Sequence, residues 1–259
     1  MTTRLDDPLA EALRLIDLGD QAGIQARLMG GLAFHAKAPT WTARIDRSRR
    51  DIDLATRSSD ARPLATFLTD AGYAPDRQFN ALYGHKQLYF VDPDRGRPVD
   101  VLVDRLEMCH RLEFRERLAA DHPTLPLAEL LLSKLQIVRI NRKDVLDALV
   151  LFSEYAVTDD DSGIDARRIV TLTASDWGWW RTVTMNLGKI AEFLLVELRP
   201  EELDLGRPPR QDAAAGIAAL QVLIEVAPRS ARWKLRARVG DRLPWYEEPE
   251  EIGHPPATG

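Results

Sequence analysis

The spacing of apolar residues changes character near residue 108, and that change limits the folds open to the chain. Before it, helical stretches alternate with short runs in which every second residue is apolar, the mark of a strand with one buried face. Lys86–Val91 and Pro98–Val103 are such runs, and Asp92-Pro93-Asp94-Arg95-Gly96 between them reads as a hairpin loop. Ile24–Met29 and Asp51–Thr56 supply two more strands. Helices are expected over 7–22, where Leu9, Leu13, Ile16 and Leu18 recur near helical spacing, over Leu32–Lys37 and over Ala61–Gly72. This α-β-α-β-α-β-β order predicts an α/β unit on a mixed or antiparallel sheet. Beyond it only helical spacing persists. Leu127–Tyr155 reads as two helices meeting near Asn141, Thr182–Leu198 carries Val183, Leu187, Ile190 and Leu194 on one face, and Asp212–Val226 is a further helix. The expected class is α+β: a mixed sheet with helices over 1–120, a helical C-terminal domain over 121–250, and a flexible tail over 251–259.

The 259 residues suffice for a large core, and the single cysteine, Cys109, excludes an internal disulfide framework and fits a reducing compartment. No basic start leads into an apolar segment, and no apolar run approaches the roughly 18–20 residues that span a bilayer. A cytoplasmic location without membrane contact is the expectation. A net charge of −5 argues against wholesale coating of nucleic acid. It leaves room for a local patch: Arg229, Arg232, Lys234, Arg236, Arg238 and Arg242 surround Trp233, just before the acidic Glu247-Glu248-Pro249-Glu250-Glu251. A polyanionic partner and a solvated helix face both fit that patch.

Chemistry points to the strand segment Asp51-Ile52-Asp53. Side chains two apart on a strand project from one face, with Cα atoms roughly 7 Å apart. Carboxylates held that way suit a pair of divalent cations about 3.5–4 Å apart, as in phosphoryl transfer. Upstream, Gly30-Gly31 follows an apolar run and precedes a helix, so backbone N–H groups there can approach a phosphate. On the strand Val99–Asp104, the valines take the core face and Asp100, Leu102 and Asp104 the other. Asp100, in mid-strand, is favoured over Asp104 as a third ligand and as the base for an attacking hydroxyl; two solvated polar positions would give the same pattern. Lys134 lies beside the stripe Leu127, Leu130, Leu131, Leu135 and Val138, where it either snorkels to water or meets an anion. Asp144 and Asp147 share one helix face and call for a cation between them, with Arg142, Lys143 or Lys134 available.

Other chemistries find no support. The five histidines lack metal-ligand spacing, and no G-x-S-x-G elbow, Walker loop or G-x-G-x-x-G run occurs. Trp177, Trp179 and Trp180 follow Ser175-Asp176 and read as a capped helix start packed into the core.

Taken together, Gly30–His35, Arg47–Leu54 (RSRRDIDL), Val99–Leu102 and Leu130–Leu149 (LLLSKLQIVRINRKDVLDAL) resemble a minimal nucleotidyltransferase of the DNA-polymerase-β-like superfamily. Within it the chain is most similar to the AbiEii/MenT-type toxins, over about residues 25–155. The resemblance implies that Gly30 and Gly31, with Ser48 and Arg49, hold nucleotide phosphate. It implies Mg²⁺ (or Mn²⁺) on Asp51, Asp53 and Asp100, and a site completed by Lys134 and Asp144. Members often carry Ser or Thr two residues before the first aspartate; here Arg49 stands there and Ser48 precedes it. The implied activity is NMP transfer from an NTP to an RNA or tRNA 3′ end by a toxin with a cognate antitoxin protein. A small-molecule acceptor, as in antibiotic-modifying relatives, and a catalytically silent fold are the competing readings.

Overall fold

The computed structural model describes residues 4–42, 51–198 and 208–248. The chain opens with α1 (Pro8–Gln21), whose cap Asp7 accepts a hydrogen bond from the Ala10 N–H. Next come β1 (Ala26–Met29), α2 (Gly30–Lys37), the short α3 (Pro39–Thr42), β2 (Ile52–Thr56) and α4 (Ser58–Asp70). Then follow β3 (Ala74–Pro75), α5 (Arg77–Tyr83), β4 (Gln87–Asp92) and β5 (Arg97–Val103). These strands form one mixed sheet in the order β1-β2-β5-β4-β3. Only the central β2/β5 pair is parallel; the β1/β2, β4/β5 and β3/β4 pairs are antiparallel. The expected hairpin loop joins β4 to β5, with Gly96 at φ +61° and its N–H donating to the Asp92 carbonyl at 2.8 Å.

One face of the sheet is mostly apolar, with Thr56, Asp92 and Arg97 as its buried polar members. Val99, Val101 and Val103 of β5, Ile52 and Leu54 of β2, Leu28 of β1 and Phe90 of β4 are all buried there. Each such side chain contributes about 1.5–3 kcal/mol by leaving water, and a one-residue slip would turn the whole set outward. That constraint fixes the opposite face as well, and the carboxylates lie on it.

Past β5 the chain makes a small hairpin, β6 (Arg105–Glu107) with β7 (Arg111–Glu113), and then turns helical. The helical part comprises α6 (Leu127–Leu135), α7 (Arg142–Glu154), α8 (Ala166–Ser175), α9 (Trp177–Glu192), α10 (Ala213–Val226) and α11 (Ala231–Ala237), with a two-stranded bridge of β8 (Val157–Thr158) and β9 (Ile164–Asp165). α6 is apolar nearly all round, and its Leu127, Leu130, Leu131, Leu132 and Leu135 are buried between α7, α8 and α9. Asn141, where the two helices were expected to meet, caps α7 by accepting from the Lys143 and Asp144 N–H groups. Asp176 caps α9 in the same way through the Trp179 N–H. Strand structure therefore continues past residue 108, in pieces of two or three residues. No described helix is long and apolar enough to cross a membrane.

Candidate active site

The parallel β2/β5 register sets Asp53 directly opposite Asp100, with Met29 of β1 opposite Asp53 on its other side. Neighbouring strands lie about 4.8 Å apart, so the two carboxylates leave the same face of the sheet as neighbours. Asp51, exposed, precedes β2 by one residue. Asp53 feels all of this. Burial, then Asp100, then Asp51 push its carboxyl up to about 7, with Lys134 opposing them.

Gly30 closes the site from the β1 side. Its φ of +62° is a left-handed conformation that suits glycine, and it opens α2 straight from β1. A Cβ placed there would fall 1.8 Å from Asp53 Oδ2. Glycine is thus required twice, by the backbone turn and by the approach of the carboxylate. Gly31 follows as an ordinary helical residue.

β4 supplies the groups that sequence reasoning missed. Gln87 Nε2 donates to Asp100 Oδ1 at 2.6 Å, which fixes that oxygen in place. Tyr89 stands opposite Asp100 in the register, and burial first, then the Asp100 and Asp51 charges, raise its phenol. Period-two spacing places Gln87 and Tyr89 on the carboxylate face, so the signal was there. An amide and a phenol on a strand belong to no motif that would have flagged them.

Lys134 does not snorkel. Its ammonium sits between Asp144 Oδ1 at 2.9 Å and Asp147 Oδ2 at 3.1 Å, and 5.3 Å from the Phe34 ring centroid. It is the cation that the two α7 aspartates called for, and Asp144 enters the site through it. Asp104 is placed otherwise: at φ +64° just past β5, it accepts the Ser58 N–H at 2.8 Å and its carbonyl takes the Phe114 and Arg115 N–H groups. That is a turn role, and of the two only Asp100 stands in register with Asp53. Ser48 and Arg49 lie outside the described residues.

Among the described residues no three His, Cys, Asp or Glu side chains converge into a ready-made cation cage. Mg²⁺ is commonly held by one or two carboxylates together with substrate phosphates and water, and the hard oxygen donors of Asp51, Asp53 and Asp100 fit that mode. A half-buried carboxylate that feels the charge of two others also fits a site that gains from divalent charge. Compared with known proteins, the chain matches no family model and no curated relative.

Proposed function

We propose that this protein is a Mg²⁺- or Mn²⁺-dependent nucleotidyltransferase that moves an NMP from an NTP to an acceptor hydroxyl. The observation that carries the reading is the in-register pair Asp53–Asp100 with Gly30 folded against Asp53. Asp51, Asp53 and Asp100 would hold the cation, which supplies charge neutralisation at the triphosphate when bound. Gly30 and Gly31, at the start of α2, seat the phosphates with backbone N–H groups.

Asp100 then takes the proton of the acceptor hydroxyl, with Gln87 holding its other oxygen in place. The acceptor oxygen forms a bond to the α-phosphorus as the bond to the β-phosphate oxygen breaks, and pyrophosphate leaves. Lys134 stays paired with Asp144 and Asp147, and from the α6 side its charge opposes part of the negative charge around Asp53. The acceptor we infer is an RNA, specifically a tRNA 3′ end, and the biological setting a toxin–antitoxin pair in the cytoplasm, following the resemblance to AbiEii/MenT-type toxins. A small-molecule acceptor is the second reading, favoured by the net charge of −5.

The test is incubation with labelled NTPs and Mg²⁺ in the presence of total RNA or of an aminoglycoside and lincosamide panel. Label in RNA 3′ ends, lost in Asp53→Ala, is the expected result. Label in a drug supports the second reading, and no label in either, with folded protein, overturns both.

A further inference from the structure

Most arginines here are engaged within the fold, but several basic side chains around α11 are not. Arg232, Lys234, Arg238 and Arg242 are exposed, and their side chains form no hydrogen bond or ion pair among the described residues. α11 stands between two concavities of about 920 and 800 Å³, and Trp177 and Trp233 line both. Arg232 borders the first; Arg238 and Arg242 border the second.

The neighbouring charged groups organise this surface. Arg236 donates to the Gly240, Leu243 and Pro244 carbonyls and lies 4.7 Å from the Trp177 ring centroid, tying the C-terminal segment to α9. Arg181 pairs with Asp241 at 3.1 Å, and Trp245 Nε1 donates to Thr182 Oγ1 at 3.1 Å. Among the acids, Glu107 is matched by Lys86 and Arg105, and Glu113 by Arg111, while Asp176 caps α9. Glu247, on the rim, offsets one positive charge. Across the lining of both concavities six arginines face five acids, and the excess positive charge lies on the Arg238/Arg242 side. Trp233, Trp245 and Tyr246 are half-buried, so each still presents ring surface beside it.

Unpaired cations at intervals beside aromatic rings match a chain of phosphates carrying planar bases. The cations meet the backbone, and each ring offers about 1–3 kcal/mol of stacking to a base. An acidic peptide would use the cations and leave the rings unmatched. We propose that the two concavities flanking α11 form the docking surface for the RNA acceptor, an inference that rests on RNA being the acceptor class.

Fluorescence anisotropy tests it with the full chain, no NTP, and a fluorescein-labelled tRNA transcript between 50 and 200 mM KCl. Without NTP, binding is read apart from catalysis, so failure of NMP transfer leaves this result interpretable. The variant Arg232→Ala/Arg238→Ala/Arg242→Ala should bind at least tenfold more weakly, with the log–log salt slope shallower by about two to three. Arg62→Ala/Arg77→Ala, which removes two exposed arginines on α4 and α5, should bind as wild type does. Wild type that fails to bind at 50 mM KCl, a triple variant within twofold of it, an equal loss in the control, or a preference for polyglutamate would overturn the proposal.

Discussion

Two enclosed carboxylates of this protein live in opposite surroundings. Glu129, fully buried on α6, meets Arg117 at 3.0 Å and Arg168 at 2.8 Å, and so joins α6 to α8 and to the segment after β7. Asp53 faces Asp100 and Asp51, with Lys134 in its field but held by Asp144 and Asp147. The first carboxylate is neutralised by its own chain and serves the fold. The second is left with an excess of negative charge that folding alone does not resolve, and such a site gains from a cation brought by substrate.

Exchanging either carboxylate for alanine should break the two sites in different ways. Asp53→Ala is expected to lower NMP incorporation by about a thousandfold or more while the protein still unfolds cooperatively at or above the wild-type midpoint, as activity assays and thermal melts would show. Glu129→Ala should instead cost about 3–5 kcal/mol of stability, because two partly buried guanidiniums lose the buried carboxylate they share and Arg117 keeps only Asp161; denaturant unfolding measures this. A folded Glu129→Ala protein of wild-type stability would dissolve the contrast.

The pH dependence sharpens it. With its carboxyl raised to about 7 in the folded state against 3.8 when unfolded, Asp53 keeps its proton on folding between those values. It carries no penalty below about pH 4, a growing one from there to pH 7, and a constant one above. Asp53→Asn should therefore stabilise the metal-free protein by about 2–4 kcal/mol at pH 8 and by little at pH 4, read from denaturant midpoints under chelator. Gly30→Ala comes next, at about 1–3 kcal/mol. The left-handed φ and the 1.8 Å approach to Asp53 Oδ2 both oppose the methyl group, and incorporation should fall with stability. Gln87→Leu is the mildest change. Loss of one hydrogen bond to Asp100 should lower kcat about tenfold with KM for NTP little altered, and Gln87→Asn should not restore it, its side chain being one carbon shorter.

The contrast also explains what the sequence could reveal. Asp51, Asp53 and Asp100 were legible because period-two spacing binds a side chain's direction to that of its buried neighbours, and valine at 99, 101 and 103 left little freedom. Asn141 announced a helix start through its own cap chemistry, and the Asp144/Asp147 pair announced a cation. The Glu129 network was not legible: its partners lie 12 and 39 residues away, and no local rule joins them. The strands β3 and β6–β9, two or three residues each, are too short to display a period. The proposed docking surface combines α9, α11 and the segment after it, so the sequence showed its charge but not its concavity.

The central claim, that Asp53 is held in an unresolved negative site, is tested most directly by following the Asp53 side-chain carboxyl carbon by NMR across pH, first without metal and then with Mg²⁺ and a non-hydrolysable NTP analogue. The account predicts a midpoint near 7 without metal, moving well down when Mg²⁺ and nucleotide are present. A midpoint in the ordinary carboxylate range that ignores both additions would contradict it.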